Sequence, residues 1–137
     1  MKKTYYALLR GILITASLAC VFGCADLYDM RELRKEVIGQ LGHKNVKVIL
    51  QNGNCIGVSI INSSLGESPE KQQDAARQKV VNLIAEQYGK NPGITRAWIA
   101  FVKHRNYIIF RYTNALNTSH YEKQEDGTWR KRNNNCN

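Results

Sequence analysis

Between Val46 and Ile61 the chain places an apolar side chain at every second residue, twice over, around a reversal signal. Val46, Val48 and Leu50 fall on one side of an extended segment, and Ile56, Val58 and Ile60 fall on one side of the next. A period of two belongs to a strand and not to a helix. The residues between them, Asn52-Gly53-Asn54, tolerate the positive φ of a tight reversal. The segment therefore reads as a β-hairpin with one core face, while Gly57 and Ser59 leave the other face crossed by small or polar groups.

On both sides of this hairpin the period changes. Leu27, Met30, Leu33, Val37, Ile38 and Leu41 recur at three- and four-residue steps, which predicts a helix over residues 26–41 stopped by Gly42. Ser68-Pro69-Glu70 reads as a second helix start, with a hydroxyl N-cap, Pro at the first helical position and an acid in the first turn facing the dipole. That helix runs to Tyr88 on a stripe of Ala76, Val80, Leu83, Ile84 and Tyr88. Gly89, Pro92 and Gly93 end it.

Residues 94–103 and 107–114 predict a second hairpin around Arg105-Asn106. With a two-residue loop, the favoured register, Ala97, Ile99, Phe101, Ile108, Phe110 and Tyr112 face inward and Arg96, Trp98, Tyr107 and Arg111 face outward. A three-residue loop would instead bring Trp98 and Phe110 to one face, because a slip of one residue reverses a strand. A short third pair, residues 121–123 with 128–130, closes around Asp126-Gly127. The order helix, hairpin, helix, hairpin predicts an α+β two-layer sandwich, with helices on one face of a four- or five-stranded, mainly antiparallel sheet.

A chain of 137 residues with 43% hydrophobic residues and two prolines is neither collagen-like, nor low-complexity, nor a polytopic membrane protein. Its ends stand apart from the domain. Lys2, Lys3 and Arg10 precede Gly11 to Phe22, a run of 12 residues without charge. A spanning helix needs roughly 20 apolar residues, whereas an export signal needs about 7–15 followed by small ones. The expected organisation is an export signal over residues 1–23, one domain over 24–132 and a polar tail over 133–137.

The end of the run, Val21-Phe22-Gly23-Cys24, resembles the lipobox of bacterial lipoproteins, in which the cysteine becomes the lipidated N-terminus. The resemblance covers the signal alone. It implies a cell-envelope protein held to a membrane through acyl chains, palmitate among them, on Cys24, and Ala25 favours the outer membrane over inner-membrane retention. More than one acyl chain is needed for stable attachment, since each buried methylene contributes only about 0.8 kcal/mol. Ordinary cleavage near Ala19 or Ala25 would instead leave a soluble periplasmic or secreted protein. Cys20 leaves with the signal and lipid consumes Cys24, so the mature domain keeps Cys55 and Cys136, a candidate disulfide in an oxidising compartment.

Signals for catalysis are sparse. His43, His104 and His120 are far apart, without the i, i+4 spacing of paired ligands, and neither Cys-x-x-Cys nor a nucleophile elbow occurs. No metal, cofactor or catalytic residue is expected. Glu67, Glu70 and Asp74 cluster where the second helix begins, and complementing its dipole accounts for them. Charge is more informative: without Lys2, Lys3 and Arg10 the 20 basic residues become 17 against 11 acids, a formal +6. The 35 residues from Gln87 to Tyr121 contain no acid. Arg96, Trp98, Tyr107 and Arg111 are therefore the candidate face for an anionic envelope polymer or a protein partner, nucleic acid being disfavoured for an exported chain. The expected function is a lipid-anchored binding or structural module. The alternative is a small secreted enzyme or enzyme inhibitor without the anchor.

Overall fold

The computed structural model describes residues 28–106 and 111–132, excepting the side chains of residues 105, 106 and 111–114. Helix α1 covers residues 28–41 and ends at Gly42, whose φ of 62° is the left-handed value the sequence assigns to a stop. Strands β1 (Val46–Gln51) and β2 (Cys55–Ile61) form the first hairpin. Asn52 and Gly53 turn it with φ of 54° and 70°. Val46, Ile56, Val58 and Ile60 are buried, and Val48 and Leu50 pack against them, so the facing read from the alternation holds.

A 3-10 turn (Ser64–Glu67) leads into α2 (Glu70–Tyr88). Here the expected cap is displaced. Ser68 is not the N-cap of α2: its hydroxyl donates to Ser64 O at 3.1 Å, and Pro69 holds the cap position without a side-chain bond. The 3-10 turn leaves a carbonyl that needs a donor, and Ser68 satisfies it. Of the three acids read as facing the helix dipole, Glu70 stands in the first turn of α2. Glu67 pairs with Lys103, and Asp74 pairs with Arg77 at 2.8 Å and with Lys131 at 3.3 Å.

The remaining strands are β3 (Arg96–Asn106), β4 (Arg111–Lys123) and β5 (Trp129–Arg132), and the sheet order is β1-β2-β3-β4-β5. Three neighbouring pairs are antiparallel, but β2 and β3 are parallel, so the sheet is mixed. The cause is α2. It carries the chain back along the sheet between β2 and β3, and such a crossover delivers the next strand in the same direction.

The second hairpin departs from the favoured register. Asn106 pairs with Arg111, so Arg105 and Asn106 belong to the strand and the connection falls in residues 107–110. A two-residue hairpin turn requires positive φ at its first position, and in type I′ at both, which Arg-Asn without a glycine supplies poorly. The ladder also shifts between Phe101 and Val102, with Leu116 as the extra residue of β4. Inward facing holds for Ala97, Ile99 and Phe101, which are buried, while Ile108 and Phe110 lie outside the described residues and Tyr112 pairs with Arg105. The third hairpin forms as read, with Lys123 opposite Trp129, Gly127 at φ 82°, and the Asp126 carboxylate accepting from the Thr128 N–H at 2.9 Å.

Leu33 and Val37 of α1, Val80 and Ile84 of α2 and the inner residues of the sheet make one core cluster. Each such side chain contributes roughly 1.5–3 kcal/mol when fully buried. Polar ties fix the helices to their neighbours. Gln87 donates to Asp29 O at 2.6 Å, Arg34 to Val46 O at 2.7 Å, and the His43 ring bonds Ile61 O at 2.7 Å.

Candidate functional site

The face of the sheet opposite this core is built from the alternate residues of each strand. Register places Gly57, Trp98, His120 and Arg132 in one row, and Cys55, Arg96, Glu122 and Arg130 in the row before it. Trp98 lies directly over Gly57: a Cβ at position 57 would sit 2.2 Å from Trp98 Cζ2. Its indole N–H donates to Gln51 Oε1 at 3.0 Å. The small residues noted on this face of β2 are thus the floor under an aromatic ring.

Beyond Trp98 the strands carry Ser59, Ala100, Val102, Ala115 and Thr118, which line a shallow groove of about 380 Å³. His120 stands on its rim. Burial holds the His120 imidazole below its ordinary value, and Nδ1 is buried with no partner among the described residues. The groove is apolar at its floor and polar at its edges, the composition of a surface that takes an extended or ring-shaped ligand.

Around it stand Lys47, Arg96, Arg130 and Arg132 on the same face, against Glu122. Arg132 pairs with Glu122 at 2.9 Å, and Arg96 donates to Asn54 Oδ1 at 3.0 Å. Of the four residues expected to share one outer patch, Arg96 and Trp98 do so. Tyr107 lies outside the described residues. Arg111 pairs through its backbone with Asn106, ten residues along β3 from Arg96, or about 33 Å at the strand rise. The longer hairpin removes Arg111 from the patch. Arg130 and Arg132 replace it, and the alternation of β5 opposite Glu122 was the signal for them.

A second polar cluster lies under the sheet, at the N-terminal half of α2. Arg77 is 1% exposed and stacks its guanidinium 5.1 Å from the centre of the Phe101 ring. Nη1 donates to Asp74 at 2.8 Å and Nη2 to Gln73 Oε1 at 2.9 Å, which also accepts from Asn117 Nδ2 at 3.1 Å. The Arg77 bond, then that of Lys131, holds the Asp74 carboxyl below the usual range. Sequence reading passed over Arg77, although it sits three residues before Val80 and four after Gln73 on the buried stripe. Buried beneath the sheet, the cluster acts as an internal clamp.

Cys55 is fully buried and disulfide-bonded, and has no thiolate to offer as a nucleophile. Among the described residues no three His, Cys, Asp or Glu side chains converge as metal ligands, and no helix is long and apolar enough to cross a membrane. No protein-family model, curated protein or solved structure matches the chain.

Proposed function

We propose that this chain is an exported cell-envelope lipoprotein, anchored through acylated Cys24 with the outer membrane favoured, whose domain binds an anionic envelope polymer. On this reading the fold is a two-layer sandwich: helices cover one face of the sheet and the other face does the binding. The observation that carries it is the outer face itself, with Trp98 laid on Gly57 above an apolar groove and four cations around one acid. Rings of this kind stack on sugars while the cations meet carboxylate or phosphate. The lipobox-like Val21-Phe22-Gly23-Cys24 supports the anchor.

Two measurements test the halves separately. Cys24→Ser should lose acyl label and move from the membrane to the soluble fraction; retention without label rejects the anchor. Binding of the mature protein to a polyuronate should weaken as salt rises, since screening acts over about 8–10 Å near physiological ionic strength. Arg130→Glu with Arg132→Glu should weaken it at least about tenfold, equivalent to about 1.4 kcal/mol. Unchanged binding by a folded double variant rejects the anionic ligand.

A further inference from the structure

The two edges of the sheet are unlike. β5 is four residues long and carries Arg130, Lys131 and Arg132, charges that turn away a further strand. β1 is the other edge, six residues with Lys47 as their one charge, and among the described residues no strand lies beyond it. An apolar edge of that length is a template for pairing with another chain.

Register shows which of its groups are open. The Ile61 N–H donates to Asn45 O at 2.8 Å, so along the ladder Asn45, Lys47, Ile49 and Gln51 bond toward β2. Val46, Val48 and Leu50 therefore turn their N–H and C=O groups to the open side. Val46 is already satisfied there: its N–H donates to Lys44 O at 3.1 Å and its carbonyl accepts from Arg34 Nε at 2.7 Å. The N–H and C=O groups of Val48 and Leu50 remain open.

We infer that two copies of this chain join through β1, antiparallel about a two-fold axis at Ile49, into one continuous sheet. Val48 then lies opposite Leu50 of the partner subunit, and Leu50 opposite Val48 of the partner subunit, so every open group of both copies is bonded. A register centred on Val48 would need Val46, whose groups are taken, and one centred on Leu50 would leave Val48 opposite the turn. The contact is isologous and closes on itself. Charge favours it over the other edge: Lys47 meets Gln51 of the partner subunit, whereas pairing with β5 would set Lys47 beside arginines. Ile38, one turn on from Arg34 and so on the side of α1 that overlooks this edge, is half-buried and adds apolar surface beneath the junction.

The axis also crosses the candidate binding face. Ile49 is in register with Gly57, and Gly57 with Trp98, so the two Trp98 rings fall in one row, five strand spacings or about 24 Å apart. The axis is perpendicular to the sheet, and both outer faces point the same way. Here the inference rests on the function proposed above: one anionic chain crossing that row engages both copies, and its second contact is intramolecular.

Sedimentation of the processed protein in detergent, without ligand, tests the pairing. The parent is expected as a dimer, and a single copy at up to about 0.1 mM overturns the inference. Ile49→Lys and Ile49→Glu each set like charges face to face at the axis, and each should give a monomer with unchanged circular dichroism. Their equimolar mixture should dimerise again, which a folding defect would not allow. Either variant alone dimerising as the parent does places the contact elsewhere and overturns the edge pairing. If the charged variants fail to fold, Ile49→Cys decides. Residues facing across the axis stand about 4.5 Å apart between Cα atoms, within disulfide range, so mild oxidation should cross-link two copies. Cys55 is already bonded and its candidate partner Cys136 lies outside the described residues, so the parent is the control, and no cross-link beyond the parent's overturns the pairing. A polyuronate should bind the parent at least about tenfold more tightly than a fragment too short to span both rings, and should lose that advantage in Ile49→Lys. Equal affinities in a dimer overturn the shared ligand, while a dimer that binds neither rejects the anionic ligand and leaves the pairing standing.

Discussion

Gly57 shows how one absent methyl group shapes the outer face. Its backbone angles need no glycine, but the Trp98 ring occupies the space a Cβ would take. Gly57→Ala should therefore displace the indole, break its bond to Gln51 and cost about 1–3 kcal/mol, as overpacking commonly does. A red-shifted Trp98 emission and a lower denaturation midpoint check this. His120 acts through pH. Burial lowers its pKa from 6.5, so below that pH the unfolded chain takes up the proton before the folded one does. Its contribution is complete above pH 6.5 and is lost as pH falls through the depressed folded value. In His120→Gln the fall in thermal midpoint on acidification should be smaller than in the parent.

Two elements owe their position to side chains that patterning treats as surface. Helix α2 carries Arg77 on its buried stripe, clamped by Gln73 and Asp74 and stacked on Phe101 of β3. Arg77→Ala should destabilise by about 2–4 kcal/mol, combining a cavity with the lost bonds and ring contact. Arg77→Met should cost less. It keeps the volume, and Gln73 Oε1 remains bonded to Asn117. Urea denaturation of the two variants reads the difference, and equal costs would show that the clamp acts through its charge. The β3–β4 ladder is the other case. Its hairpin was legible as a hairpin from two β-rich runs, but its register was not, because no glycine marks the turn and the slip at Leu116 has no local signature.

At the scale of the whole molecule, Cys55 ties the sheet to a distant part of the chain. Every other cysteine of the chain lies more than about 30 residues from Cys55, and the chain-entropy model values closing a loop of that size at about 4 kcal/mol. Reduction should lower the denaturant midpoint accordingly while leaving far-UV circular dichroism of the native state intact. A midpoint unaffected by reduction would mean that the bond constrains little of the unfolded chain.

The sequence by itself determined the class and the elements: two helical stripes, strand-period hairpins, their stops at Gly42 and Gly127, and the inward facing of Ile56, Val58, Ala97 and Ile99. These are properties of neighbours three or four residues apart or alternating along a strand, where side-chain period and backbone φ act locally. Tertiary structure alone decided the parallel pairing of β2 with β3, the ten-residue separation of Arg111 from Arg96, and the arrival of Arg130 and Arg132 beside Trp98. Each depends on which strand lies next to which and in what register. Those are set by the crossover through α2 and by the core that Arg77, Phe101 and Val80 close together, long-range terms that no short window of residues contains.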